Sequence, residues 1–217
     1  VGRRIFDNLQ KAMTFIFSVH LPIAGMSLLP VFLGWPLALM PVHIVFLELI
    51  IDPACSVVFE MEREEKGIMT RKPRPAAEPL FGPRMIFIGL VQGLGILALV
   101  AAIYAWSLKS GFGEREARAL AFTNLVFGNI GMIFSNRSWR QSIVVRLGVP
   151  NSALWYVTAA ALAFLAASLF IPQLNDLFGF APLHGWQYLL CVFTGLAAII
   201  INEIVKLPFL MRLFDRK

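Results

Sequence analysis

Residues 41–59 read Pro41-Val42-His43-Ile44-Val45-Phe46-Leu47-Glu48-Leu49-Ile50-Ile51-Asp52-Pro53-Ala54-Cys55-Ser56-Val57-Val58-Phe59. Nearly every position is apolar, yet Glu48 and Asp52 stand four residues apart and Pro53 follows at once. In the absence of water a backbone must satisfy its own polar groups, so an apolar run of about 20 residues is read as a membrane-crossing helix. Spacing i, i+4 puts both carboxylates on one face of that helix, about a turn apart.

Working outward, the same reading recurs. Spans are expected at about 12–32, 37–59, 84–108, 119–134, 154–171 and 186–205, separated by turns such as Gly34-Trp35-Pro36 and by two longer polar loops, 60–82 and 136–151. The fold class is therefore all-α: a polytopic membrane protein whose six spans form three hairpins. Composition agrees, with 58% hydrophobic residues, 19 Phe and 15% charged residues in a chain of 217, where soluble domains carry about a quarter charged residues. The net charge of +6 does not indicate nucleic acid, because the basic residues lie between apolar stretches and form no aromatic-studded face. Cys55 and Cys191 sit inside apolar runs without CxxC spacing, so neither a disulfide framework nor a thiolate metal site is indicated.

The basic residues set topology instead. With a cytoplasmic N-terminus, six spans return the C-terminus to the same side, and sixteen of the nineteen Lys and Arg fall inside, leaving Lys109, Arg115 and Arg118 outside. That asymmetry is what the positive-inside rule requires. Trp35, Trp106, Trp155 and Trp186 fall near span ends, as an interfacial belt would place them. Arg3, Arg4 and Lys11 before the first apolar run resemble a signal peptide, but no small-residue cleavage pattern follows, so the run is read as a retained helix. Val1 in place of Met is consistent with a piece of a longer chain.

Buried ionisable residues carry the chemistry. A charged carboxylate at the bilayer centre costs at least about 2.5–3.5 kcal/mol, so such groups face a cation, a partner or water. Pro53 cannot donate to the Leu49 carbonyl, nor Pro22 to that of Ser18. Hard cations take several oxygens, and broken helices offer such carbonyls beside carboxylates. The candidate cation-binding set is Asp52, Glu48 and His20, with the carbonyls of Ser18 and Leu49; Asp52 and Glu48 are the candidate metal ligands. The bland alternatives are a hydrogen-bonded acid pair bracing helices, an ordinary proline kink and a structural His. Asn124, Asn129 and Gln92 are read first as hydrogen-bonding glue.

Several stretches resemble P-type cation-transporting ATPases: Asn8-Leu9-Gln10-Lys11, Leu39-Met40-Pro41-Val42-His43, Glu48-Leu49-Ile50-Ile51-Asp52-Pro53, and the loop Met69-Thr70-Arg71-Lys72-Pro73-Arg74 through Glu78-Pro79-Leu80. The resemblance covers essentially the whole chain and corresponds to that family's transmembrane segments five to ten, in a bacterial member of the calcium and sodium pump branch. It implies a C-terminal cation-transport membrane domain over 1–217, in the bacterial inner membrane. By the resemblance, Asp52 falls on the central aspartate of segment six and Glu48 on an asparagine ligand; His20 falls on the asparagine ligand of segment five. Asn129 falls where calcium pumps carry a glutamate in segment eight, which brings it into the candidate set. Ile23 and Ile51 replace a glutamate and a threonine, so a calcium site is not carried over intact, and Glu48 is the candidate compensation for Ile23. The family's phosphorylation motif, nucleotide domain and first four spans do not occur here. The fragment itself is then non-catalytic and without cofactor, while the full-length parent uses ATP and Mg2+ and supplies phosphorylation and segment one to four partners around the transported cation. This reading predicts that Glu48, Asp52, His20 and Asn129 converge on one polar cavity. A self-contained secondary transporter or proton channel, or a purely structural bundle, are the competing expectations.

Overall fold

The computed structural model describes residues 2–64, 82–138 and 143–205. The loop motif at 69–80 and the tail beyond Val205 lie outside the described residues. Within them, α1 spans Gly2–Leu33, α2 Pro41–Pro53, α3 Pro83–Lys109, α4 Glu114–Asn136, α5 Ile143–Leu147, α6 Ser152–Phe170, α7 Pro172–Leu177 and α8 Gly185–Val205. Six of these segments are long and apolar enough to cross a membrane: α1, α2 with its continuation to Val58, α3, α4, α6 and α8. The described residues contain no strand.

Local chemistry explains the ends. α1 stops at Leu33 because Gly34 turns left-handed, with φ of 66°, and the Trp35 N–H donates back to the Pro30 carbonyl at 2.8 Å. α2 begins from an extended Met40, with Pro41 at the first helical position, where a missing N–H costs nothing. After Pro53 the helix widens into a π turn, Ala54–Val58, closed by the Phe59 N–H on the Ala54 carbonyl at 3.2 Å. A proline that withholds its N–H and crowds the preceding turn is where such widening is expected. α1 begins ten residues before the expected span, and within those added turns Asn8 and Lys11 are buried, at 5% and 2% exposed.

The helices pack in two groups. α1, α3, α4 and α8 form one bundle, whereas α2 with its π turn lies against α6, which also carries α7. The first group is drawn close by small residues. At Gly93 of α3 any side chain would collide, since an added Cβ would lie 2.6 Å from the Ser18 carbonyl oxygen of α1. α4 is the most buried span, and α8 meets it through Asn124, which is hydrogen-bonded to Thr194 and lies 3.4 Å from the Cys191 sulfur.

A clasp joins the groups at the end of the bundle that carries His43. There the His43 Nδ1 accepts from the Met40 N–H at 2.9 Å, which leaves Nε2 to donate to the Phe178 carbonyl at 2.8 Å. Phe122, Phe178 and Phe180 surround the ring, with centroids 4.9, 5.4 and 5.0 Å away. Arg118 of α4 donates to the carbonyls of Leu37 and Gly179, and the Tyr104 hydroxyl to that of Pro36. At the same end Trp106, Phe112 and Trp186 pack as an aromatic cluster.

Candidate functional site

One polar pair bridges α1 and the middle of α2. His20 Nε2 lies 3.5 Å from Glu48 Oε1, and the two side chains are 48% and 39% exposed. The His20 Nδ1 stands 2.7 Å from the Ile16 carbonyl oxygen. An oxygen that only accepts must be met by an N–H, so the hydrogen of a neutral ring sits on Nδ1 and the Nε2 lone pair faces the carboxylate. Two acceptors opposed at that distance repel. A positive charge between them, either a proton on the ring or a cation held by both atoms, turns the repulsion into attraction.

Asp52 sits one turn further along α2 and is exposed. Its carbonyl accepts from the Ser56 hydroxyl at 2.7 Å, and among the described residues its carboxylate has no hydrogen-bond or ion-pair partner. His20, Glu48 and Asp52 thus line an open face beside the π turn. The Ser18 carbonyl is placed elsewhere, against α3 at Gly93. Asn129 lies on α4 and is fully buried; among the described residues neither of its amide atoms is hydrogen-bonded, so it makes no bond to the other three. The structure brings His20 and Glu48 together and leaves Asp52 open beside them, with Asn129 inside the first helix group. Among the described residues no three His, Cys, Asp or Glu converge as a metal shell, so a cation on this face needs oxygens beyond these side chains.

One polar cluster was not singled out from the sequence. Glu62, four residues beyond the π turn, is 0% exposed and lies between Arg137 and Arg146, which are 2% and 3% exposed. Arg137 donates to both Glu62 oxygens at 2.8 and 3.2 Å, Arg146 Nε to Oε1 at 3.0 Å and Asn151 Nδ2 to Oε2 at 2.8 Å. In the sequence Glu60 and Glu62 read alike, as loop punctuation, and both arginines read as topology charges. No local signal separates them. Glu203, near the end of α8, accepts from the Ser135 hydroxyl and the Ile143 N–H at 3.1 Å each. Gln92 accepts through one oxygen from Ser18 and Asn136, binding α1, α3 and α4 together as glue.

Residues 36–207, which hold five of the six apolar spans, match a known family described as "Cation transporting ATPase, C-terminus". The chain belongs to this family. Its similarity to named cation-transporting ATPases runs nearly end to end: it is 30% identical to Calcium-transporting ATPase 1 of Bacillus cereus, over 95% of this chain and 25% of that protein. It is 24% identical to Calcium-transporting ATPase 1 of Lactococcus lactis, covering 95% of this chain and 23% of the relative. It is 29% identical to the Probable cation-transporting ATPase F of Mycobacterium tuberculosis, covering 93% of this chain and 22% of the relative. The chain therefore spans about a quarter of the length of the relatives it matches. As a member of the cation-transporting ATPase family, it is the C-terminal membrane region, an integral membrane domain of six helices.

Proposed function

We propose that this chain is the cation-translocating membrane domain of an ATP-driven pump and that His20, Glu48 and Asp52 form one wall of its ion path. The observation that carries the reading is the open face of α1 and α2. Three ionisable side chains stand there within apolar spans, each at least partly exposed, where hydrocarbon would make each of them costly. Such a face is stable only against protein, water or a cation. Further helices of the pump are the natural cover, and they would bring the remaining oxygens that a hard cation requires.

The His20–Glu48 gap suggests how the wall works. The repulsion between the Nε2 lone pair and Oε1 is relieved by a proton or by the cargo cation, and the two compete for the same place. Asp52, whose carboxylate has no partner among the described residues, supplies the second negative charge that favours the cation in one state. Ser18 and Asn129 are left to structural roles in this reading, because the Ser18 carbonyl faces α3 and Asn129 is buried on α4. ATP and Mg2+ act in domains of the pump outside these residues, which supply none of the hydrolytic chemistry. The end of the bundle that carries Glu62 faces the cytoplasm, as the arginine and lysine bias requires, and the membrane is the bacterial plasma membrane, in keeping with the bacterial relatives. The family match disfavours a self-contained secondary transporter.

The test is ATP hydrolysis by the complete pump carrying this segment, measured across calcium, magnesium, manganese, sodium and proton gradients. Asp52→Asn is expected to abolish activation by the transported cation while leaving the protein folded. Full cation activation in that variant would sink the assignment.

A further inference from the structure

The ion path described above makes no use of Glu62, a buried carboxylate in the same chain segment as Glu48 and Asp52. Elements from across the bundle converge on it. Its own carbonyl accepts from Asn8 Nδ2 of α1 at 2.9 Å. Its carboxylate takes Arg137 from the end of α4, Arg146 from α5 and Asn151 from the start of α6. Asn151 also donates to the Val58 carbonyl at 3.0 Å, the last residue of the π turn, and accepts from the Leu154 N–H as the cap of α6. Arg137 donates further to the Val149 carbonyl at 2.9 Å, and Arg146 to that of Arg63.

Two guanidinium groups around one carboxylate are a costly way to hold helices together, since apolar packing of the same volume would serve stability as well or better. What charge-assisted, forked bonds supply is a single orientation. That orientation matters because of what lies between Glu62 and the open face. Pro53 and the π turn Ala54–Val58 interrupt the regular helical ladder there, so a twist or shift of the end of α2 would be absorbed in this soft segment unless the end were fixed. The opposite end of α2 is fixed by the His43 clasp. Between the two anchors, the His20–Glu48 pair bridges α1 and the middle of α2.

We propose that Glu62 is a positioning residue for cation translocation: it pins the end of α2 to α1, α4 and α6, so that movement is confined to Pro53–Val58 and delivered to Glu48 and Asp52. The inference rests on the ion-path reading only for the location of the cargo; the anchoring itself can be tested without it.

The experiment uses the complete pump in lipid, with Cys55 and Cys191 replaced by Ala. Nitroxide pairs are placed at exposed positions near each anchor, Ile5→Cys with Met61→Cys and Phe32→Cys with Val45→Cys. Glu62→Gln keeps the side-chain shape and removes the charge. The expected result is a broadened distance distribution for the Ile5–Met61 pair and an unchanged one for Phe32–Val45. An unchanged Ile5–Met61 distribution overturns the proposal, and so does broadening at both ends, which would make Glu62 a general brace. In ATPase assays Glu62→Gln is expected to raise the half-saturating cation concentration about tenfold or more, with the maximal rate within about twofold; a fall in maximal rate alone overturns a positioning role. Asn8→Ala removes the α1 bond and leaves the ionic cluster whole. It is expected to move half-saturation in the same direction by about threefold, and decides the matter if Glu62→Gln does not fold. A wild-type pump without cation-activated hydrolysis would sink the ion-path reading, while the label distances still judge the anchor.

Discussion

Glu62 and the pair Glu48 and Asp52 belong to one continuous chain segment and are the same kind of group, but the bundle treats them in opposite ways. Glu62 is wholly buried with both oxygens bonded by arginine and asparagine donors. Glu48 is over a third exposed and faces a histidine ring, and among the described residues Asp52 is exposed with no partner for its carboxylate. A saturated carboxylate has nothing left to offer a cargo, and its energy is spent on holding geometry. An unsaturated one at membrane depth is costly until something positive arrives. In the proposed reading the saturated group positions the helix and the unsaturated ones meet the ion.

The comparison can be broken first at Glu62. Glu62→Ala strands two buried guanidinium groups, and the expected loss is about 3–5 kcal/mol, read as a lowered unfolding midpoint in detergent by tryptophan fluorescence. A midpoint equal to wild type would erase the distinction between the two regions. Trimming the cluster sharpens it. Asn151→Ala removes one donor to the carboxylate, one to the Val58 carbonyl and the cap of α6, and is expected to cost about 1.5–3 kcal/mol in the same assay.

On the open face the effects on stability shrink as the effects on transport grow. A double-mutant cycle of His20→Ala and Glu48→Gln is expected to give a coupling of about 0.2–1 kcal/mol, as for other half-exposed pairs weakened by screening. A coupling several times larger would mean that the pair is a structural bond like that of Glu62. Asp52→Asn is expected to change stability by less than about 0.5 kcal/mol, while cation activation is lost in ATPase assays. A strongly destabilised Asp52→Asn protein would move Asp52 into the structural class.

Much of this molecule was legible in one dimension. The six spans follow from apolar runs, because a helix in lipid satisfies its own backbone and needs only length. The helices reach beyond the apolar runs where polar residues are buried by other protein. α1 starts at Gly2, ahead of the expected residue 12, since Asn8 and Lys11 of its polar first turns are covered. Two short helices in the connections, α5 and α7, leave too few residues for a period to show, and Pro172, which reads as the end of a span, opens α7 as its first residue. The Ser18 carbonyl, one turn before Pro22, is expected from the sequence to lack that proline's N–H. Its direction, toward Gly93 of α3, depends on which helix lies beside it.

The sequence alone determined that Glu48 and Asp52 lie within one apolar helical span, one turn apart, next to a proline, because face within one helix depends on spacing along the chain. Only the tertiary structure decided which acids are satisfied. The partners of Glu62 come from 54, 75, 84 and 89 residues away, and no local pattern of residues carries that information. Helical periodicity reports what a residue's own turn does, whereas the pairing of a buried charge is settled where distant helices meet.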